Sequence, residues 1–345
     1  VRIGANAIKG GVYWWNTTDG SNAFIYRYDM ENQAVPPEQF FPQPNQAGTC
    51  VGCHAVSRDG TVVSYRQDGG TLNYGNAVMV NGLAKRLTMN TQQWSYTTIH
   101  PNDTDLVSSR NNGLWLTDMT GTAAATQLST MHVTHPDFSV DGKKLVAATV
   151  AGGDDVYASV PSGGTNQLVV FDYDATAKTL GATPTPILTT AANTYAYYPG
   201  YSPDDKWVLY NLAQGGNTYN NLNSQLWVVS AAGGAPVRLT EAEGPAGQGN
   251  SWPKWTPFTS QEASPSGANE TVIWFTVASY RAFGVRTTNG DRQLKPQLWL
   301  APFYPDRVGN TMGLPVTGPA VRLPFQNLDQ GNHIAQWTQK IVNIF

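Results

Sequence analysis

The chain has 345 residues, a net charge of −3 and only 13% charged residues, which excludes a basic face for nucleic acid and a polybasic anchor for acidic lipid. No run of about twenty apolar residues occurs, so no membrane-spanning helix is expected. The N-terminal Val1-Arg2-Ile3-Gly4 has no signal-peptide hydrophobic core, and the chain reads as a mature or trimmed product.

The first elements in chain order are three predicted strands, 11–16, 24–29 and 38–41, each rich in aromatic and β-branched residues. Next comes Cys50-Val51-Gly52-Cys53-His54, a C-x-x-C-H run formed from the only two cysteines and one of the five histidines. This is the attachment signature of a c-type haem. Cys50 and Cys53 would add across the porphyrin vinyl groups, and His54 would be the proximal iron ligand. Three other readings stay open. A thioredoxin-like pair needs its second cysteine to open a helix, whereas Ala55 to Gly60 reads as a strand running into a turn. A zinc site would need further ligands, which His132 and His135 could supply. A Cys50–Cys53 disulfide would close a very small, strained loop.

Beyond the motif one phrase recurs: His135-Pro136-Asp137-Phe138-Ser139-Val140-Asp141-Gly142, then Tyr198-Pro199-Gly200-Tyr201-Ser202-Pro203-Asp204-Asp205. Weaker copies start at Tyr96, at Trp252-Pro253-Lys254-Trp255 and at Ile334, and Cys53-His54-Ala55-Val56-Ser57-Arg58-Asp59-Gly60 is itself a copy. Each phrase predicts a short strand, a tight turn and a second strand, and most are followed by a second hairpin. Four strands per unit of forty or more residues make the blade of a β-propeller. The expectation is an all-β, six-bladed β-propeller forming a single domain over 1–345, with blades starting near 53, 96, 135, 198, 252 and 334. Residues 10–48 would supply three strands to the last blade, closing the ring between the two chain ends.

The P-x-F/Y-S-x-D-G phrase, with Leu226-Trp227-Val228-Val229-Ser230-Ala231-Ala232-Gly233-Gly234-Ala235-Pro236-Val237-Arg238-Leu239-Thr240 after it, resembles the TolB-type propeller repeat over nearly the whole chain. A C-x-x-C-H motif inside such a repeat is similar to the haem-bearing propeller domain of the hydrazine synthase catalytic subunit. That family carries a tyrosine ligand four residues after the motif histidine. This chain has Arg58 there, so the ligand does not transfer and hydrazine chemistry is not implied.

Repeat alignment puts His54 level with Pro136, Pro199 and Pro253, and Cys53 level with His135, at the channel-lining strands. Long segments at 152–166, 215–224 and 279–296 would roof a haem there and lower its access to water. For the distal iron ligand His135 is favoured, with His132, His333 and Met131 as alternatives; His100 aligns with Ser57 and reads as structural. Asp154-Asp155 and Asp103-Thr104-Asp105 lack the spacing of a calcium loop, and Trp14-Trp15, Trp94 and Trp252 read as core rather than sugar platforms. The functional expectation is one covalent haem c on a periplasmic or extracellular bacterial propeller, serving electron transfer or small-ligand redox chemistry. Its partner would be a redox protein or a small ligand at the channel mouth. The alternative is a TolB-like protein-binding or structural propeller in an extracellular assembly, with self-assembly among its expected contacts and the haem or cysteines structural. No acid or base is assignable, so enzymatic turnover is not read from the sequence.

Overall fold

A computed structural model describes residues 8–17, 23–41, 50–68, 72–80, 83–90, 96–110, 113–118, 124–150, 164–215, 218, 221–265, 267–283, 295–310 and 313–342. The protein is an all-β propeller. In chain order the strands are β1 (Gly11–Thr17), β2 (Ala23–Asp29), β3 (Glu38–Phe41), β4 (Cys50–Val56), β5 (Val62–Asp68), β6 (Leu72–Val80), β7 (Leu83–Asn90), β8 (Thr97–Ile99), β9 (Asp105–Arg110), β10 (Gly113–Asp118) and β11 (Thr126–Ser129). They continue as β12 (Val133–Phe138), β13 (Lys144–Thr149), β14 (Gln167–Asp174), β15 (Thr179–Leu180), β16 (Thr185–Thr189), β17 (Tyr195–Tyr201), β18 (Trp207–Ala213), β19 (Gln225–Ser230) and β20 (Val237–Arg238). The last five are β21 (Ser251–Ala263), β22 (Asn269–Ser279), β23 (Gln297–Phe303), β24 (Val321–Arg322) and β25 (Gly331–Thr338).

These strands form antiparallel sheets in the orders β4-β5-β6-β7, β8-β9-β10-β11, β12-β13-β14 with β15 and β16 both on β14, β17-β18-β19-β20, β21-β22-β23-β24, and β25-β1-β2-β3. The last sheet joins the two ends of the chain, with Gly11 paired to Thr338 and Thr17 to Gly331. Inner strands touch in a closed circuit: β4 on β8, β8 on β12, β12 on β17, β17 on β21, β21 on β25, and β25 back on β4. Such closure gathers the inner edge strands around one axis, where each edge is short and covered by its neighbours. The β14–β15 hairpin was not expected from the repeat.

The period-2 pattern of the inner strands assigns each residue a job. Val56, Ile99, Phe138, Tyr201, Trp255 and Trp337 occupy one repeat position, and each enters a different hydrophobic cluster between neighbouring sheets. Large aromatics there fill wedge-shaped gaps, and the two tryptophans satisfy their N–H groups: the Trp255 indole donates to the Gly200 carbonyl at 2.9 Å and the Trp337 indole to Thr276 at 3.1 Å. The following serine builds the turn. Ser57, Ser139 and Ser202 donate to Asp59, Asp141 and Asp204 at 2.8, 2.7 and 2.6 Å, fixing three equivalent hairpin ends.

Candidate functional site

One irregularity positions the site. In five inner strands two residues oppose a single partner: Cys53-His54 between Gly52 and Ala55, His135-Pro136, Tyr198-Pro199, Trp252-Pro253 and Ile334-Ala335. These are β-bulges, which bend a strand and re-aim its side chains. Proline suits the second position because a bulged residue has no ladder bond to lose. The first position takes positive φ at His135, Tyr198, Trp252 and Ile334, between 52° and 57°. These four are not glycines, so each stores backbone strain that the surrounding packing must hold.

The bulge residues close the channel. The Tyr96 ring lies 4.1 Å from His135, His135 lies 4.2 Å from Tyr198, and Tyr198 stacks on Trp252 at 3.9 Å with planes 21° apart. Ile334 and Trp15 complete this plug. On its far side a pocket runs down the inner strands, lined by His54, Arg58, Asp137, Tyr201, Lys254, Gln336 and their neighbours.

His54 is buried, and neither of its ring nitrogens makes a hydrogen bond among the described residues. Burial pushes its pKa down to about 3; the Tyr13 backbone, close to the ring though outside hydrogen-bonding geometry, opposes this weakly. The imidazole is therefore neutral at ordinary pH, the form that binds metals. Two orphaned nitrogens on a buried neutral ring, one residue after the C-x-x-C pair, suit the donor set of a c-type haem: two thiols for the porphyrin and an imidazole for iron. Cys50 and Cys53 both lie in β4; their side chains fall outside the described residues.

The candidate distal ligands separate. His135 is buried inside the plug with both ring nitrogens unbonded among the described residues, and burial holds its pKa well below the usual value. His333 is buried on β25, edge-on to Trp15 at 4.4 Å. Burial first, then the His54 charge, brings its pKa to about 3. Met131 packs into the core between the β9–β10 and β12–β14 sheets, and His132 is exposed. His100 is structural as expected: its Nε2 donates to the Gly142 carbonyl at 3.0 Å and its Nδ1 accepts from the Asn102 N–H at 3.1 Å. Of the roofing segments, 151–163 and 284–294 lie outside the described residues, as does Trp94. Among the described residues no group of three His, Cys, Asp or Glu side chains is arranged to hold a metal ion, and no helix is long and apolar enough to cross a membrane.

Sequence reasoning missed the charged floor of the pocket. Lys254 meets Asp137 at 2.7 Å across the channel, and Arg58 lies beside them. Burial lowers the Arg58 pKa, while Asp137 and Asp205 counter it. Burial, and the nearby Asp141 charge, raise the Asp205 pKa against two backbone donors and Arg58. The signal was present: Asp137 and Lys254 each follow the proline of the repeat and so point into one channel layer.

The chain matches no protein-family model and no curated relative. Among solved structures it is similar to TolB from Acinetobacter baumannii, with TM-score 0.57 and 12% identity over 96% of this chain and 67% of that one. Weaker likenesses include a TolB-like protein of Agrobacterium tumefaciens (TM-score 0.48, 14% identity, 96% of this chain and 99% of that one) and the hydrazine synthase of Kuenenia stuttgartiensis (TM-score 0.42, 13% identity, 80% and 66%). At such identities the first of these is a likeness of fold alone. The fold it shares with this chain is the TolB-like β-propeller.

Proposed function

We propose that this chain is a mono-haem c-type cytochrome built on a six-bladed propeller, each of the six sheets being a blade and the last shared between the chain ends. The observation that carries the reading is His54, a buried neutral imidazole with both nitrogens unbonded, placed directly after the second cysteine of C-x-x-C. Cys50 and Cys53 would anchor one haem c, and His54 would ligate its iron from one side. The group, once bound, supplies one-electron redox chemistry at an iron whose potential is set by axial ligands and desolvation. The chain's own part is to hold the His54 ring at the bulge and to shield it from water. The Tyr13 backbone carbonyl lies near the ring but makes no hydrogen bond to it; with the haem bound, a small shift of the ring would let that carbonyl accept from the proton-bearing nitrogen, a partnership that makes an imidazole a better ligand. His135 and His333 are the buried imidazoles that could supply a second ligand. The role is electron transfer or small-ligand redox chemistry, in a periplasmic or extracellular setting.

A second reading is a protein-binding or structural propeller whose cysteines carry no haem. It is favoured by the polar end of the channel, where Arg58, Asp137 and Lys254 offer charged groups to a partner. Intact mass and a pyridine haemochrome spectrum of protein produced with export and haem maturation decide between the two. One added haem, absent from a Cys50→Ala/Cys53→Ala variant, supports the cytochrome. A mass equal to the bare polypeptide overturns it and leaves the second reading.

A further inference from the structure

Three charged side chains line the channel pocket, Arg58, Lys254 and Asp137, and Asp205 lies near enough to act on the Arg58 charge, so the four formal charges cancel. Their hydrogen bonds do not cancel. Asp137 accepts from Lys254 Nζ at 2.7 Å on one oxygen and from the Tyr201 N–H at 2.9 Å on the other. Asp205 accepts from the Val140 N–H at 2.6 Å and from the Asp141 N–H at 3.0 Å. Every carboxylate oxygen is thus already engaged. The Arg58 guanidinium has five N–H donors in a rigid fork, lines the pocket, and makes no hydrogen bond or ion pair among the described residues. The capacity left over is donor capacity, and it is cationic.

We propose that the propeller channel is a binding site for a carboxylate, anchored by the Arg58 guanidinium. A planar fork matches a carboxylate in bidentate fashion, which a lysine cannot reproduce. The apolar walls include Tyr201, Trp255 and Trp337, so the favoured ligand is an organic carboxylate with a flat or aliphatic body. The aromatic plug of Tyr96, His135, Tyr198 and Trp252 blocks one end of the pocket, and entry is from the end where Arg58 lies. Two sources share this chemistry: a free small carboxylate, or the propionate groups of a haem attached beside His54. Arg58 lies in the turn just past β4, four residues after His54, at most about 13 Å away by chain length, and both line the same pocket, which keeps the second source within the dimensions of a porphyrin.

The test is benzoate titration of the full-length protein, read by calorimetry and by tryptophan fluorescence, with neutral benzamide as control. It is run on the wild type and on the Cys50→Ala/Cys53→Ala chain, so it does not depend on haem attachment, which mass alone reports. Benzoate should bind the cysteine-free chain and benzamide should not. Arg58→Gln should weaken binding about tenfold or more, with partial recovery in Arg58→Lys. Binding by both proteins identifies a free carboxylate as the ligand. Binding by the cysteine-free chain with none by a haem-loaded wild type identifies the propionates as the natural occupant. Failure of benzoate to bind the cysteine-free chain, or equal binding by a folded Arg58→Gln variant, overturns the proposal.

Discussion

Asp137 on β12 and Lys254 on β21 meet at 2.7 Å although 117 residues separate them and the β17 sheet lies between theirs. The pair ties two non-adjacent sheets across the channel. Lys254 retains 28% exposure and Asp137 14%, so the bond is partly screened and its worth falls between that of a surface pair and a buried one. Lys254→Met should destabilise the fold by about 1–2 kcal/mol, chiefly by leaving Asp137 short of a partner. The Asp137→Asn/Lys254→Met double variant should recover part of that loss. Denaturant midpoints compared at constant slope measure both; equal stabilities for the wild type and Lys254→Met would show the pair to be ornamental.

Ring closure is held by the pairing of β1 with β25 and by the core beneath it. The Trp14 indole donates to Asn332 Oδ1 at 2.8 Å, and Trp337 is buried among Val12, Leu298 and Leu300. Trp337→Ala should cost about 3–5 kcal/mol. Deletion of 331–345 should lower the cooperativity of the whole unfolding transition, because it opens two sheet edges at once. Calorimetry that found the truncated chain melting like the intact one would contradict closure through this sheet.

The axial ligands of the proposed haem are separable by their places in the fold. His54→Ala should leave the thiols able to attach haem while shifting the spectrum to high spin. His135 sits in the aromatic plug and His333 on the strand beside β4. Whichever is the sixth ligand, its alanine variant alone should convert a low-spin spectrum to a high-spin, carbon-monoxide-binding one. His100→Ala, which removes the bond to Gly142, should lower stability with the spectrum unchanged. A native spectrum already high-spin would assign neither histidine to iron.

How much of this was legible in the sequence depends on where the repeat is local. Turn chemistry and strand period come from neighbouring residues, so the three N-terminal strands, the Ser-x-Asp turns and the terminal sheet are all legible in the sequence. The alignment of His54 with Pro136 was also readable, and the bulges give it its physical meaning. Less visible were features that depend on several sheets converging. Nothing local in Tyr96, His135, Tyr198 and Trp252 announces that they stack into a plug, and Arg58, noted only as a missing tyrosine, lies in a charged pocket. Met131 shows the opposite failure: adjacent in sequence to the repeat, it turns into an inter-sheet core rather than toward the channel.

Buried histidines make the fold sensitive to acid. In the cysteine-free chain, where no iron competes for the ring, His54 and His333 have folded pKa values of about 3 against roughly 6.5 when unfolded. The unfolded chain therefore takes up protons first as pH falls. Stability from these two groups is complete above about pH 6.5 and is lost progressively between there and about pH 3. The upper limit is about 5 kcal/mol for each ring, and the two losses are not additive because each charge is felt by the other. Urea midpoints of the cysteine-free chain should fall steadily from pH 7 to pH 4, and His54→Gln and His333→Gln should each flatten that slope. A slope identical in all three proteins would mean that the acid sensitivity arises elsewhere, with Asp103, whose pKa is raised to about 6 by burial and by Asp59, opposing it. A carboxyl raised in the folded state stabilises at low pH, and Asp103→Asn should therefore steepen the decline.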